Sequence, residues 1–170
     1  MKHQYSVVFD NVRLRPLEFD DLEQLRLWRN KDSIRVHFKD QRLIDTEQQK
    51  AWYERYLLNS TDIFFIIEET STNSRPVGAV SLYRIDSANA KAEFGRFMIG
   101  EESAKGLGLG YKTIMGVCEF AFNELKLEQV YLEVLKTNVR AIHLYEKAGF
   151  IIQDSTENEE LDLLYMVKRR

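Results

Sequence analysis

Three glycines at every second position, in Lys105-Gly106-Leu107-Gly108-Leu109-Gly110, stand between an apolar, strand-like segment and an amphipathic helical one. No other stretch of the chain narrows the fold so much. Glycine reaches positive φ and lets a ligand come close to the backbone. A helix start presents unpaired N–H groups and the positive end of the helix dipole. A strand, a glycine turn and a helix N-terminus in that order form a cradle for a pyrophosphate. The turn has a plainer reading, a tight bend that packs a helix on a sheet. It is not a Walker loop, because no Gly-Lys-Ser/Thr follows Gly108 or Gly110. The spacing G-x-G-x-G also departs from the dinucleotide pattern G-x-G-x-x-G, and the loop lies past residue 100 rather than after a first strand.

The segments around this loop alternate between strand and helix patterns. A short strand is expected over Val12–Arg15, halted by Pro16. Asp20 or Asp21 would cap a helix carrying Leu22, Leu25 and Trp28 at a spacing of three. A second helix is expected from about Asp45 to Leu58, with Thr46 and Gln49 as its capping box. Strands follow over Ile63–Glu68, Val77–Tyr83 and Ala92–Ile99, the first so continuously apolar that both its faces should be covered. The polar run from Thr70 to Pro76 reads as a hairpin loop. Behind the glycines, Ile114, Val117, Cys118, Ala121, Phe122 and Leu125 form one helical stripe. A strand at Gln129–Leu135 precedes a helix from about Asn138 to Ala148, stopped by Gly149. Two last strands are expected at Phe150–Gln153 and Leu161–Val167. The expectation is an α/β fold with one mixed sheet and helices on both faces.

With 170 residues the chain is of single-domain size, and residues 1–170 are expected to form one domain. A net charge of -3 sits poorly with a protein that grips nucleic-acid phosphates. One cysteine, Cys118, excludes an intrachain disulfide and fits a reducing cytoplasm. Mid-helix on an apolar stripe, it reads as core rather than nucleophile. No apolar run approaches the roughly 20 residues needed to span a bilayer, and no signal-peptide pattern opens the chain. His3, His37 and His143 are too scattered for a metal cluster, so no metal is expected.

Lys105 to Gly110 resembles the acyl-CoA signature of the GNAT N-acetyltransferases, Arg/Gln-x-x-Gly-x-Gly/Ala. Glu93-Phe94-Gly95-Arg96-Phe97-Met98-Ile99-Gly100 is similar to the strand that leads into it. Leu132-Glu133-Val134, then Asn138 through Phe150 with Arg140-Ala141-Ile142, Leu144-Tyr145-Glu146-Lys147 and Gly149-Phe150 in order, resembles the family's last core motif. The opening Val12-Arg13-Leu14-Arg15-Pro16-Leu17 is similar to the branch that contains ribosomal-protein N-terminal acetyltransferases. The resemblance runs from about residue 12 to 167. Lys105 departs from it, keeping a charge but losing the planar fork of arginine.

The resemblance implies a GNAT fold, a mostly antiparallel sheet with a central pair of parallel strands that splay apart. It implies acetyl-CoA as co-substrate and direct transfer to a primary amine. The pantetheine arm would lie against Phe97, Met98 and Ile99. The pyrophosphate would sit over Lys105, Gly106, Gly108, Gly110 and Tyr111, and Asn138 would bond the pantetheine, cap the following helix, or both. Tyr145 would be the general acid toward the departing thiolate, its other reading being a core tyrosine on the stripe with Ala141, Leu144 and Ala148. The base would be Glu133 or Glu93, directly or through water. Each is alternatively a solvated or salt-bridged strand carboxylate.

For the acceptor, the resemblance points to the N-terminal helices. From Arg26 to Arg42 six basic residues (Arg26, Arg29, Lys31, Arg35, Lys39, Arg42) face two acids (Asp32, Asp40), an excess of +4. That charge favours an anionic acceptor over spermidine or an aminoglycoside, unless it is only a solvated helix face. Leu27-Trp28-Arg29-Asn30, Ile34-Arg35, Gln48 and Trp52 are similar to the acetyltransferase of nucleotide-linked amino sugars in pseudaminic acid synthesis. On that basis Trp28, Arg29, Asn30 and Arg35 are expected to bind the acceptor. The alternatives are a peptide N-terminus as acceptor, or an acyl-CoA-binding module without turnover. A homodimer is compatible with the resemblance.

Overall fold

In a computed structural model, residues 2–71, 74–153 and 162–170 are described. The strands are β1 (Val7–Phe9), β2 (Val12–Pro16), β3 (Ile63–Glu69), β4 (Arg75–Asp86), β5 (Lys91–Ile99), β6 (Gln129–Leu135), β7 (Ile151–Gln153) and β8 (Leu163–Arg169). The helices are α1 (Leu22–Asn30), α2 (Asp32–Arg35), α3 (Thr46–Leu58), α4 (Leu109–Asn123) and α5 (Val139–Lys147). The strands form one sheet in the order β1-β2-β3-β4-β5-β6-β8-β7, and every neighbouring pair is antiparallel except β5–β6.

β3 shows why the sheet needs two covers. Its residues are buried from end to end. Ile63, Phe65 and Ile67 point into a core shared with α4, while Phe64 and Ile66 point into a second core with α1, α2 and α3. Alternation along the strand sends successive side chains to opposite faces, so a continuous apolar run is what a doubly covered strand requires.

Several local expectations shift by small amounts. β1 was not anticipated: it adds an edge strand through Val7↔Leu14 and Phe9↔Val12. A short turn of 3-10 helix at Phe19–Asp21 precedes α1 and is capped by Glu18, whose N–H donates to Asp21 Oδ2 at 2.8 Å, and Asp21 is the N-cap residue of α1, though without a side-chain cap bond to it. The capping box of α3 lies one residue earlier than Thr46 and Gln49. Asp45 Oδ1 accepts from the Gln48 N–H at 2.8 Å, and Gln48 Oε1 accepts from the Asp45 N–H at 3.0 Å. Gln49 turns inward instead and is buried. The hairpin between β3 and β4 is present in their antiparallel pairing, although residues 72 and 73 of its loop lie outside the described residues. Residue 161, the expected start of the final strand, also lies outside them, and β8 begins at Leu163.

The parallel pair carries the site. β5 and β6 are in register only at Lys91↔Gln129, Ala92↔Val130 and Glu93↔Tyr131, and then part. The cause is local. Arg96 has a positive φ of 47°, and the pairing of β5 with β4 shifts register between Ala79 and Ser81. A bulge of this kind bends a strand and increases its twist, which turns the second half of β5 away from β6.

Candidate active site

The gap between β5 and β6 opens into a cleft of about 940 Å³. One wall is β5 from Phe94 to Ile99. A second is Lys105, Gly106 and Gly108–Tyr111, the turn and first residues of α4. The third is formed by Glu133 and Val134 of β6 with Asn138, Ala141 and Tyr145, and the fourth by Arg29 and residues 37–40.

The glycine turn is built to admit a ligand. Gly106 and Gly108 hold φ of 81° and 72°, and a Cβ on either would meet nothing within 4 Å, so their outer faces are open. Gly108 is the N-cap of α4. The first N–H groups of the helix therefore point outward without an intrahelical acceptor. Gly110 has a different task. A Cβ there would lie 3.1 Å from Leu144 Cδ2 and 3.6 Å from Phe97, so its smallness lets α4 begin tight against α5 and β5. Lys105 Nζ donates to Glu102 Oε1 at 2.5 Å and stands at the rim. A pyrophosphate fits this cradle: open backbone, a helix start, and a cation beside it.

Tyr145 comes from α5. Its ring is held edge-on to Phe94, with centroids 5.9 Å apart, and tilted against Phe150 at the same distance. Burial pushes its phenol well above the ordinary value. Its hydroxyl has no hydrogen-bond partner among the described residues, and the residue lines the cleft. Asn138 also lines the cleft while its Oδ1 accepts from the Ala141 N–H at 3.3 Å, so it caps α5 in place.

The two candidate bases differ in surroundings. Glu133 faces the cleft, and one of its oxygens accepts from Lys39 Nζ. Glu93 is only 2% exposed and does not line the cleft. Tyr83 donates its hydroxyl to Glu93 Oε1 at 2.5 Å and Arg84 Nη1 donates to Oε2 at 2.8 Å. Desolvation and the Glu93 bond together push the Tyr83 phenol far up.

The four expected acceptor residues do not converge. Trp28 is 1% exposed, packs on Gly100 and donates Nε1 to Glu101 Oε1 at 2.7 Å. Asn30 binds both backbone groups of Ile44, Nδ2 to O at 2.7 Å and Oδ1 from N at 2.9 Å. Arg35 donates to Asp32 Oδ1 at 2.6 Å and the Gln41 carbonyl at 2.7 Å. Arg29 alone of the four lines the cleft, stacked 3.9 Å from the Phe38 ring centroid and donating to the Asp40 carbonyl.

Each of the six basic residues has a partner inside the protein. Arg26 bonds Glu23 and the Ile44 carbonyl, Lys31 the Gly100 carbonyl, Lys39 Glu133, and Arg42 Asp40. The expectation of an anion-binding segment is weakened, because four of the six cations stand in ion pairs and the other two, Arg29 and Lys31, donate to backbone carbonyls. They staple the α1–α3 loops, and the charge count alone could not show that.

Sequence reasoning also passed over Tyr83 and Arg96. Both line the cleft. The Arg96 guanidinium lies 4.6 Å from the Tyr83 ring centroid and donates to Asp62 Oδ2 at 2.6 Å. Their strand positions were in hand, but a bulge at a non-glycine residue leaves no signature in one sequence. Cys118 is buried in the core, and burial raises its thiol to about 12. No group of three or more potential metal ligands occurs among the described residues. No helix among them is long and apolar enough to cross a membrane.

Residues 11–151 match the family model described as an acetyltransferase (GNAT) domain. The chain belongs to the GNAT acetyltransferase family. It is an acetyl-CoA-dependent N-acetyltransferase with the fold of that family. It is 28% identical over 149 residues to the spermidine N(1)-acetyltransferase of Escherichia coli strain K12, covering 88% of this chain and 77% of that protein. It is 26% identical to the aminoglycoside N(6')-acetyltransferase type 1 of Klebsiella pneumoniae, covering 98% and 89%. The crystal structure of spermidine N-acetyltransferase from Vibrio cholerae in complex with CoA and spermine superposes with a TM-score of 0.82 at 23% identity, over 94% and 95% of the two chains. These relatives replace the ribosomal-protein branch and the amino-sugar enzyme that the short sequence resemblances had favoured.

Proposed function

We propose that this GNAT enzyme acetylates a primary amine of a small polyamine, with Glu133 as base and Tyr145 as acid. One observation carries the reading: a carboxylate and an unpartnered buried phenol, from β6 and α5, face the same cleft beside an open glycine turn. Glu133 accepts the proton that an incoming ammonium must lose before it can attack. Tyr145 donates toward the sulfur that leaves. The raised affinity of its phenol for its proton keeps the donor charged with hydrogen at any physiological pH. Backbone N–H groups from Gly108 to Tyr111 hold the diphosphate of acetyl-CoA, and the free edge of β5 at Phe97–Ile99 lies along its pantetheine. Glu93 serves the fold instead, since both its oxygens are taken.

The polyamine acceptor is supported by the spermidine acetyltransferases among the relatives. It is supported also by two ion pairs to acids outside the basic segment, Arg26 with Glu23 and Lys39 with Glu133, which weaken the electrostatic objection to a cation. A CoA-release assay tests it over spermidine, spermine, an aminoglycoside, a UDP-amino sugar and a short peptide with a free N-terminus. Spermidine or spermine is expected to turn over fastest. Faster turnover of the UDP-amino sugar or the peptide overturns the acceptor assignment.

A further inference from the structure

Lys39 is an amine that the fold itself delivers to Glu133. It lies on the acceptor wall of the cleft, shares that cleft with Tyr145, and its Nζ donates to the Glu133 carboxylate. The segment that carries it is pinned on both sides: before Lys39, the Phe38 N–H donates to the Arg35 carbonyl at 3.1 Å and the Phe38 ring lies under Arg29. Arg29 and Arg35 donate to the carbonyls of Asp40 and Gln41, and Asn30 clasps the backbone of Ile44. A tethered amine of this kind acts at a high effective concentration, because its translational freedom is already lost.

We propose that Lys39 is a self-acetylation site: without an external amine, the enzyme acetylates its own Nζ in cis. The inference rests on the assignment of Glu133 as base. The Lys39 ammonium gives a proton to Glu133, the freed Nζ lone pair attacks the thioester carbonyl carbon, and the carbon–sulfur bond breaks. The sulfur leaves as thiolate and takes a proton from Tyr145, the proton held by Glu133 passes through solvent to restore the Tyr145 phenol and the Glu133 carboxylate, and the nitrogen sheds its second proton to solvent. The products are Nε-acetyl-Lys39, free CoA and one released proton. The acetyl group removes the positive charge, so the ion pair with Glu133 is lost and that carboxylate becomes free for an external ammonium. The modification would therefore convert a self-occupied site into an open one.

The test incubates the full chain with acetyl-CoA and no added amine, then follows acetylated peptides by mass spectrometry over time. Lys39 is expected to be modified before the exposed Lys50 and Lys126, at a rate independent of protein concentration. Glu133→Gln and Tyr145→Phe should each slow it by about 100-fold, with circular dichroism confirming that both remain folded. The heat-unfolded chain gives the background of chemical acetylation. Lys39 modified no faster than Lys50, or as fast in the unfolded chain, overturns the proposal. So does a rate that rises with protein concentration. The acceptor reading fails separately: Lys39 modified in an enzyme that ignores polyamines sinks only the polyamine, and brisk spermidine turnover with Lys39 untouched sinks only self-acetylation.

Discussion

Tyr145 and the two glutamates divide their labour by what surrounds them. Tyr145 has an apolar cage and, among the described residues, no partner for its oxygen, so removing that oxygen leaves the packing intact. Tyr145→Phe is expected to lower kcat by about 100-fold or more while CoA affinity, measured by calorimetry, changes little. The sign of its pKa shift adds a pH prediction. A phenol with a raised pKa stays protonated to higher pH, so the alkaline limb it governs lies above the ordinary phenol value of about 10. The wild-type kcat profile should hold its plateau up to the highest pH at which the protein stays folded. A fall centred below 10 in wild type that vanishes in Tyr145→Phe would remove Tyr145 from that role. Glu133→Gln should cost rate with little change in stability, because its one ion pair is partly exposed. Glu93→Gln should do the reverse. Its carboxylate is buried under Tyr83 and Arg84, so losing the charge is expected to cost about 1–3 kcal/mol of unfolding free energy, with more turnover retained than in Glu133→Gln. Both values follow from denaturant unfolding beside steady-state kinetics.

At the scale of elements, the chain reveals more about its strands and helices than about how they bend. β6 was legible to the residue, because Gln129–Leu135 alternates cleanly and is bounded by turns. The last motif placed α5, and the helical stripe placed α4. The bulge at Arg96 was not legible, because it arises from tertiary demand on β5 rather than from a residue that prefers positive φ. Nor was the fate of the basic segment, since partners such as Glu133, 94 residues from Lys39, are brought close only by the fold. The same contrast separates two glycines that look alike in sequence. A Cβ on Gly100 would fall 2.1 Å from the Trp28 ring, so α1 could no longer pack on the end of β5. Gly100→Ala is expected to destabilise by about 1–3 kcal/mol through overpacking, read as a lower denaturant midpoint. Gly108 has open space but a φ of 72°. Gly108→Ala is expected to cost about 1–2 kcal/mol of local strain and to raise the KM for acetyl-CoA more than that for the amine. Equal effects on both KM values would mean that the turn does not hold the coenzyme.

At the scale of the molecule, the sheet is joined across its middle by few registered pairs. Among the described residues, the strand pairing of β1–β5 with β6, β8 and β7 is confined to Lys91–Glu93 and Gln129–Tyr131. Below that join β5 and β6 are separated by the cleft, which the start of α4 and the inner face of α5 line while packing on each other at Gly110 and Leu144. A coenzyme seated along Phe97–Ile99 and over the start of α4, with its thioester end near Tyr145, touches both halves at once. Such a ligand binds the folded chain and not the unfolded one, so at 100 times its Kd it stabilises by about 2.7 kcal/mol. The gain should also be uneven. Amide protection in β6 and α5 should rise more on adding CoA than in β3 and β4, which are already locked between two cores. Hydrogen exchange with and without CoA reads this difference directly. Uniform protection throughout the sheet would mean that the coenzyme stabilises the fold without bridging its halves. Protection confined to the β1–β5 side would place the ligand on the glycine turn alone, out of reach of Tyr145.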